Sequence, residues 1–149
     1  MAVVLAVDVI TKALVVAHLE GRAPVRLLGG ALYLHVIRNP GAAFGMATGM
    51  TWVLSVIAIA VVVAVLWVAP KLRSTGWAIG LGCVLAGALG NLIDRIFRAP
   101  APLRGYVVDF LSLFSPDGQG FAIFNIADSG ITVGAALIVL MALLGKDYD

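Results

Sequence analysis

Charged residues are scarce in this chain of 149 residues: they make up 12% of it, against 62% hydrophobic residues, and the mean hydropathy is +1.07. A soluble domain carries about 25% charged residues, and a small globule with so few could not cover its surface with polar groups. The composition therefore excludes a water-soluble monomer, and it also excludes a disordered chain. The net charge of +2, without a basic tract, gives no indication of nucleic-acid binding. A small domain embedded in lipid remains.

Cysteine and histidine are also rare. Cys83 is the only cysteine, so an internal disulfide is impossible, and it lies within an apolar run. The two histidines, His18 and His35, are scattered and have no evident serine partner. The sequence therefore predicts no metal site, no cofactor and no serine or cysteine nucleophile.

Four apolar segments are long enough to cross a bilayer at about 1.5 Å per residue. Residues 51–69 and 74–93 carry no charge, and residues 1–19 and 124–145 contain only a few polar side chains. We predict an all-α membrane protein, a single domain over residues 1–149, with helices at about 1–19, 51–69, 74–96 and 124–145. A cleaved signal peptide is the alternative for the first segment, but Asp8 and Lys12 interrupt its apolar run and no basic stretch precedes them. The run begins at the first residue, so a short N-terminal tail could be missing.

Two long external links, at 20–50 and 97–123, fall on one side of the membrane in this scheme, and both termini fall on the other. Residues 25–28 and 32–37 have β-type composition around Gly29 and Gly30, which predicts a small hairpin or sheet at the membrane surface. The side with the long links carries six arginines, whereas the other side carries only Lys71, Arg73 and Lys146. The positive-inside rule alone would place the long links in the cytoplasm.

Ionisable side chains within the apolar segments are functional candidates, because the membrane makes them costly. Asp8 and Lys12 stand one helical turn apart and can pair. Asn91, Asp94 and Arg95 share one face at the end of the third helix. The structural alternatives are an intrahelical ion pair for the first two residues and a helix end with an Asp–Arg pair for the others.

Asp109 and Asp128 provide further carboxylates on the side of the long links. Asp109 stands among apolar neighbours, and Asn125 with Asp128 three residues later resembles a helix cap, which alone would explain both of those residues. Two carboxylates held close in a low dielectric share one proton, which leaves one acid and one base near neutral pH. That pair could activate a water molecule for peptide hydrolysis. The residues therefore favour an aspartyl mechanism.

Five motifs in these segments occur in the order of a known family: DVITK at 8–12, RNPGAAFG at 38–45, GALGNLIDR at 87–95, VVDF at 107–110 and FNIADS at 124–129. On these motifs the chain resembles the signal peptidase II family, the bacterial membrane aspartyl proteases that process lipoproteins. The resemblance implies a multi-pass protein of the bacterial cytoplasmic (inner) membrane that cleaves diacylglyceryl-modified prolipoproteins just before the lipidated cysteine. It implies membrane lipid and cyclic peptide inhibitors of the globomycin type as further partners, and we expect a monomer.

The resemblance also assigns roles to residues. It implies that Asp109 and Asp128 are the catalytic pair. Residues implied to bind substrate or support the site are Asn39, Asn91, Arg95 and Asn125. Residues implied to be structural are Asp8, Lys12 and Asp94. Because the long links face outward in this family, both termini would be cytoplasmic, the β-like segment would form a periplasmic cradle and the site would lie near the outer face. This orientation is the reverse of the one that the positive-inside rule gives from the six arginines, but two of those arginines belong to the motifs.

The two aspartates are expected to divide the acid and base roles. Asp128 falls in the first turn of the fourth helix, where the helix dipole favours the charged form and hence the base. Asp109 falls on what we interpret as a less regular, apolar segment, which favours the protonated form and hence the acid. Residues 41–45 could let backbone approach the substrate closely.

Two other classes compete with a protease. A small proton- or ion-coupled transporter would also use intramembrane carboxylates, but four helices without an inverted repeat disfavour it. A non-catalytic assembly subunit would use pairs of small residues such as Gly76 with Gly80 and Gly130 with Gly134. Such pairs also suit packing within one bundle.

Overall fold

Four long helices form the body of the protein. The computed structural model describes residues 1–42 and 46–149. Its helices are α1 (Ala2–Leu19), α2 (Thr51–Val68), α3 (Thr75–Phe97) and α4 (Ile126–Leu143). A single 3₁₀ turn at Ala69–Lys71 extends α2 toward α3. All four helices are long and apolar enough to cross a membrane, which confirms the predicted spans.

Apolar side chains cover the outer faces of the helices. Val3 is 76% exposed, Trp67 70% and Leu143 79%, which would be costly for such residues in water. In lipid they contact acyl chains, and the backbone polar groups are satisfied within each helix. The helices therefore expose apolar side chains to the bilayer and bury Asp8, Lys12, Asp94 and Arg95 inside the bundle.

The third helix, α3, is the centre of the bundle and packs against each of the other three. Its closest neighbour is α4, and glycine makes the approach possible. A Cβ atom on Gly87 would overlap the carbonyl oxygen of Ala127, and one on Gly134 would lie 2.5 Å from the carbonyl oxygen of Gly80. Backbone-to-backbone contact of this kind is typical of small-residue packing in membranes. It holds the end of α3 against the start of α4.

A three-stranded antiparallel sheet covers one end of the bundle, with strands β1 (Val25–Leu27), β2 (Leu32–Asn39) and β3 (Val107–Leu113) in that order. The predicted hairpin corresponds to β1 and β2. The third strand was not predicted, and the interpretation of Asp109 as lying on a less regular segment is wrong. Asp109 lies on β3, opposite Ile37 of β2. Both faces of this strand are covered, so its sequence lacks the alternation that marks a half-exposed strand.

The sheet is anchored to α1 by a small apolar core. Val15 of α1 packs with Val108 and Phe110 of β3, and all three are buried. The sheet therefore lies at the end of the bundle where α1 and α3 finish and α2 and α4 begin. Residues 43–45, which belong to the RNPGAAFG motif and to the expected substrate-contacting stretch, lie outside the described residues.

Candidate active site

The first turn of α4 holds Asp128 in a reciprocal cap. Asn125 is the N-cap residue, and its Oδ1 accepts a hydrogen bond of 2.8 Å from the backbone N–H of Asp128. The backbone N–H of Asn125 donates in return to Asp128 Oδ2 at 3.1 Å. This is the predicted capping arrangement, and it satisfies two backbone donors that the helix itself leaves free. It also fixes the position of the Asp128 carboxylate.

Asp109 reaches the same place from the sheet. Its side chain is 2% exposed, and each carboxylate oxygen accepts a hydrogen bond from an asparagine. Asn39 Nδ2, on β2, donates to Asp109 Oδ2 at 2.9 Å, and Asn125 Nδ2 donates to Asp109 Oδ1 at 2.8 Å. Burial and then the nearby charge of Asp128 raise the pKa of Asp109 to about 7, against the hydrogen bonds from the two asparagines.

The side chain of Asn125 joins the two aspartates. It is fully buried, and its Nδ2 faces Asn91 Oδ1 at 3.0 Å as well as Asp109. Asn91, on α3, in turn donates from Nδ2 to Asp128 Oδ1 at 2.9 Å. Each aspartate therefore contacts Asn125 and one further asparagine. The structure thus brings together Asn39, Asn91, Asp109, Asn125 and Asp128.

Arg95 is close to this group without a hydrogen bond to it. The side chain is 8% exposed, and its Nε has no hydrogen-bond partner among the residues that the structure describes. Its charge interacts with those of Asp128, Asp109 and Asp94. Arg95 is therefore a buried cation beside two carboxylates.

The residues expected to be structural form a second cluster next to the first. Asp8 and Lys12 pair at 2.9 Å, as their spacing indicates, and Lys12 also pairs with Asp94 at 3.1 Å. Asp94 pairs at 2.8 Å with Arg98, four residues along the helix. The Asp–Arg pair at this helix end is therefore formed with Arg98 and not with the neighbouring Arg95. Within residues 1–42 and 46–149, no three His, Cys, Asp or Glu side chains converge as a metal-binding group.

An apolar cavity of about 500 Å³ opens from the aspartates. Asn39, Asp109 and Asp128 contribute polar groups to its wall. Most of its remaining wall is apolar and comes from β3, the segment before α4 and the first turns of α4: Leu113, Phe121, Ile123, Phe124, Ile131 and Val133. A cavity of this size and lining can hold an extended apolar chain beside a reacting polar group.

Sequence reasoning missed the residues that form this wall and those that hold the links. Phe121, in the predicted link, packs edge to face at 5.7 Å with Phe124, where the fourth helix was predicted to begin. Thr51 and Ser55, buried on α2, donate hydrogen bonds to the carbonyl oxygens of Pro40 and Leu103, so α2 anchors both links. Hydroxyl groups in an otherwise apolar helix were the available signal.

A family model and curated relatives of similar sequence point to the same family. A family model described as "Signal peptidase (SPase) II" matches residues 1–144. The lipoprotein signal peptidase of Rhodococcus jostii is 52% identical over 147 residues, which are 99% of this chain and 72% of that protein. The lipoprotein signal peptidase of Mycobacterium leprae is 49% identical over 148 residues, covering 99% of this chain and 71% of that protein.

Solved structures agree with the sequence relatives. One bacterial membrane enzyme superposes with a TM-score of 0.83 at 30% identity, over 95% of this chain and 84% of that one. A second superposes with a TM-score of 0.80 at 31% identity, over 95% of this chain and 88% of that one. With the family model and the relatives spanning nearly the whole chain, the protein belongs to the signal peptidase II family.

Proposed function

We propose that Asp109 and Asp128 are the catalytic pair of an aspartic endopeptidase. The observation that carries the proposal is their shared asparagine: the side chain of Asn125 donates to the buried carboxylate of Asp109, and its backbone N–H donates to the partly buried carboxylate of Asp128. Both aspartates line an apolar cavity. Unequal environments separate the protonation states of two such groups, and this is what an acid–base pair requires. Asn39, Asn91, Arg95 and Asn125 bind substrate or support the pair.

Asp109 is the acid and Asp128 the base in this proposal. Burial and the neighbouring charge keep the pKa of Asp109 near 7. Asp128 stands in the first turn of α4, where the helix dipole favours a negative charge. Asp128 takes a proton from water as the water oxygen attacks the scissile carbonyl carbon, and Asp109 gives its proton to the carbonyl oxygen. When the tetrahedral intermediate collapses, the carbon–nitrogen bond breaks and Asp128 passes its proton to the departing amide nitrogen. One hydroxyl of the intermediate returns a proton to Asp109, which leaves the carboxylic acid product and restores the starting protonation states.

Membership of this family makes the chain a protease that removes signal peptides from prolipoproteins, and an ion-coupled transporter is not supported. We further propose that the substrate carries diacylglycerol on its cysteine and is cut just before that residue. The apolar wall of the cavity supports this, because an acyl chain there would be removed from water next to the dyad. Cyclic peptide inhibitors of the globomycin type would occupy the same cavity. We propose that residues 1–149 form one integral membrane protease domain that acts as a monomer.

The chain is a multi-pass protein of the inner membrane, and we propose that its sheet and dyad face outward while both termini are cytoplasmic. Two arginines of the end with the long links are paired with carboxylates of the chain itself, which weakens the charge rule there: Arg38 binds Glu20 and Arg98 binds Asp94. Reporter fusions would test the orientation. A periplasm-dependent reporter inserted near residue 118 should be active, and the same reporter fused after residue 149 should be inactive; the reverse pattern would refute it.

Cleavage of a purified diacylglyceryl prolipoprotein tests the catalytic pair. We expect Asp109→Asn and Asp128→Asn each to lower kcat by at least about a thousandfold, because each removes the acid or the base. Asp117→Asn is the matched control: this exposed aspartate accepts hydrogen bonds from two neighbouring side chains of its own loop, Ser115 and Gln119, and should keep wild-type activity. A folded Asp109→Asn or Asp128→Asn protein with more than about a tenth of wild-type kcat would refute the assignment.

A further inference from the structure

Lys12 lies buried in α1 beneath the proposed catalytic pair. Its side chain is 1% exposed, although Lys is rarely buried without a specific set of partners. The ammonium lies 2.9 Å from Asp8 Oδ2 and 3.1 Å from Asp94 Oδ2. It also donates to Asn91 Oδ1 at 3.2 Å and to the carbonyl oxygen of Gly90 at 3.3 Å. One cation therefore has four acceptors, and the three of them on α3 tie that helix to α1.

The two carboxylates that bind Lys12 hold the backbone immediately before each proposed catalytic aspartate. Asp8 Oδ1 accepts the backbone N–H of Ala127 at 2.8 Å, one residue before Asp128. Asp94 Oδ2 accepts the backbone N–H of Val108 at 3.0 Å, one residue before Asp109. Because both carboxylates also pair with Lys12, the ammonium links the start of α4 to strand β3.

Lys12 also controls the orientation of Asn91. An amide side chain can turn over and exchange its oxygen and nitrogen, so its hydrogen bonds decide which faces which neighbour. Lys12 Nζ and Asn125 Nδ2 both donate to Asn91 Oδ1, which forces Asn91 Nδ2 toward Asp128 Oδ1. Without the ammonium, one of the two donors that favour this orientation is lost.

We propose that Lys12 is a positioning residue for catalysis: through Asp8, Asp94 and Asn91 it sets the separation and orientation of Asp109 and Asp128. The proposal rests on these two aspartates being the catalytic pair. An ion pair needed only for folding would require Asp8 and Lys12 alone. Here Lys12 contacts Asp8, Asp94 and Asn91, and each of these three residues hydrogen-bonds a proposed catalytic aspartate or the residue immediately before it. A small displacement of catalytic groups is enough to slow a reaction by about a hundredfold.

A pair of neutral double variants separates positioning from folding. Lys12→Met with Asp8→Asn removes the ammonium without leaving Asp8 unpaired, and the new amide can still accept the N–H of Ala127. Lys12→Gln with Asp8→Asn is its match, with a side chain of similar size that can donate toward Asn91. Asp94 keeps Arg98 in both. The measurements are Tm, kcat and KM with a diacylglyceryl prolipoprotein.

We expect both double variants to keep a Tm near that of the wild type and a KM within about twofold, because the cavity wall is unchanged. The Met variant should lose about 10- to 100-fold in kcat, and the Gln variant should recover several-fold of that loss. Val65→Ala, in the buried face of α2 and away from the site, is the control for packing loss: it should lower Tm and leave kcat unchanged. Wild-type kcat in the Met double variant, or equal kcat in the two double variants, would overturn the proposal.

Lys12→Arg is the second test if the neutral pairs do not fold. It keeps the positive charge for Asp8 and Asp94, but its planar guanidinium cannot reproduce the contacts of an ammonium. A wild-type Tm with a kcat lowered at least about tenfold would support positioning, and wild-type values of both would overturn it. The result is separable from the assignment of the pair: activity retained in Asp109→Asn or Asp128→Asn would refute the pair, whereas activity lost there and kept in the Lys12 variants would refute only the role of Lys12.

Discussion

Asn125 should be the most sensitive position in the site, because one side chain both caps α4 and binds Asp109. In Asn125→Ala the backbone N–H of Asp128 loses its acceptor, which costs about 1 kcal/mol for a helix cap. Asp109 Oδ1 loses its donor inside the protein, which costs about 1–3 kcal/mol for a buried group. Asn91 Oδ1 also loses Asn125 as a donor, but it keeps Lys12, so this loss adds little to the cost. The sum is about 2–4 kcal/mol of the 5–15 kcal/mol by which a typical protein is stable.

Asn125→Ser divides this loss into its two parts. A serine hydroxyl at the N-cap can still accept from the backbone N–H of Asp128, but it cannot reach Asp109 as the longer amide does. Asn125→Ser should therefore lose about 1–3 kcal/mol, and the further step to alanine should lose about 1 kcal/mol. Both variants should lose most of their activity, because the aspartates are no longer held by one group.

Equilibrium unfolding in lipid nanodiscs, with activity measured on the same samples, provides the assay. Ser74→Ala is the matched control, since Ser74 is the N-cap residue of α3 but makes no capping hydrogen bond with its side chain. It should change neither stability nor activity measurably. Wild-type stability in Asn125→Ser would refute the role of the amide nitrogen, and equal stability in the serine and alanine variants would refute the role of the cap.

Three further predictions concern pH, packing and surface charge. Activity should fall as the pH rises through about 7, because the protonated form of Asp109 is the acid. Asn39→Ala removes a hydrogen-bond donor to the charged form of Asp109, which raises the pKa of Asp109 further. The alkaline limb of the pH–kcat profile should therefore move to higher pH. Gly87→Ala should lower Tm and activity together, because its Cβ would overlap a carbonyl oxygen of α4, whereas Gly82→Ala on the same helix meets its nearest atom at 3.6 Å and should be tolerated. Glu20→Gln should change the free energy of unfolding by less than about 1 kcal/mol, because the carboxylate and its arginine partner are both more than one-third exposed. In high salt this change should be smaller still. The pH–kcat profile tests the first of these predictions, thermal unfolding the second and a salt series the third. A change in the opposite direction would contradict the corresponding argument.

Local patterns in the sequence were sufficient for the helices and for part of the site. Long, largely apolar runs predicted the four spans, since bilayer thickness sets their length. The spacing of Asn125 and Asp128 predicted the capping box, and that of Asp8 and Lys12 predicted their ion pair. Each of these features depends on residues that are close together in the sequence.

The rest of the site depends on contacts between distant parts of the chain, which leave no periodic signal. Strand β3 is covered on both faces, so its apolar run could not be distinguished from an irregular segment. Its pairing with β2 places Asp109 opposite Ile37, and the side-chain hydrogen bond from Asn39 to Asp109 spans 70 positions. The bond from Lys12 to Asn91 spans 79 positions. The expectation that Asp109 keeps its proton was based on a wrong secondary structure, yet burial of the carboxyl supports the same conclusion about its pKa.

Neutron diffraction from crystals of the protein with a bound, uncleaved peptide inhibitor would test the division of roles between the two aspartates most directly. At a pH one unit below the pKa of Asp109, deuterium should be found on the Asp109 carboxyl and none on Asp128. Deuterium on Asp128, with a bare carboxylate at Asp109, would contradict the assignment of Asp109 as the acid and Asp128 as the base.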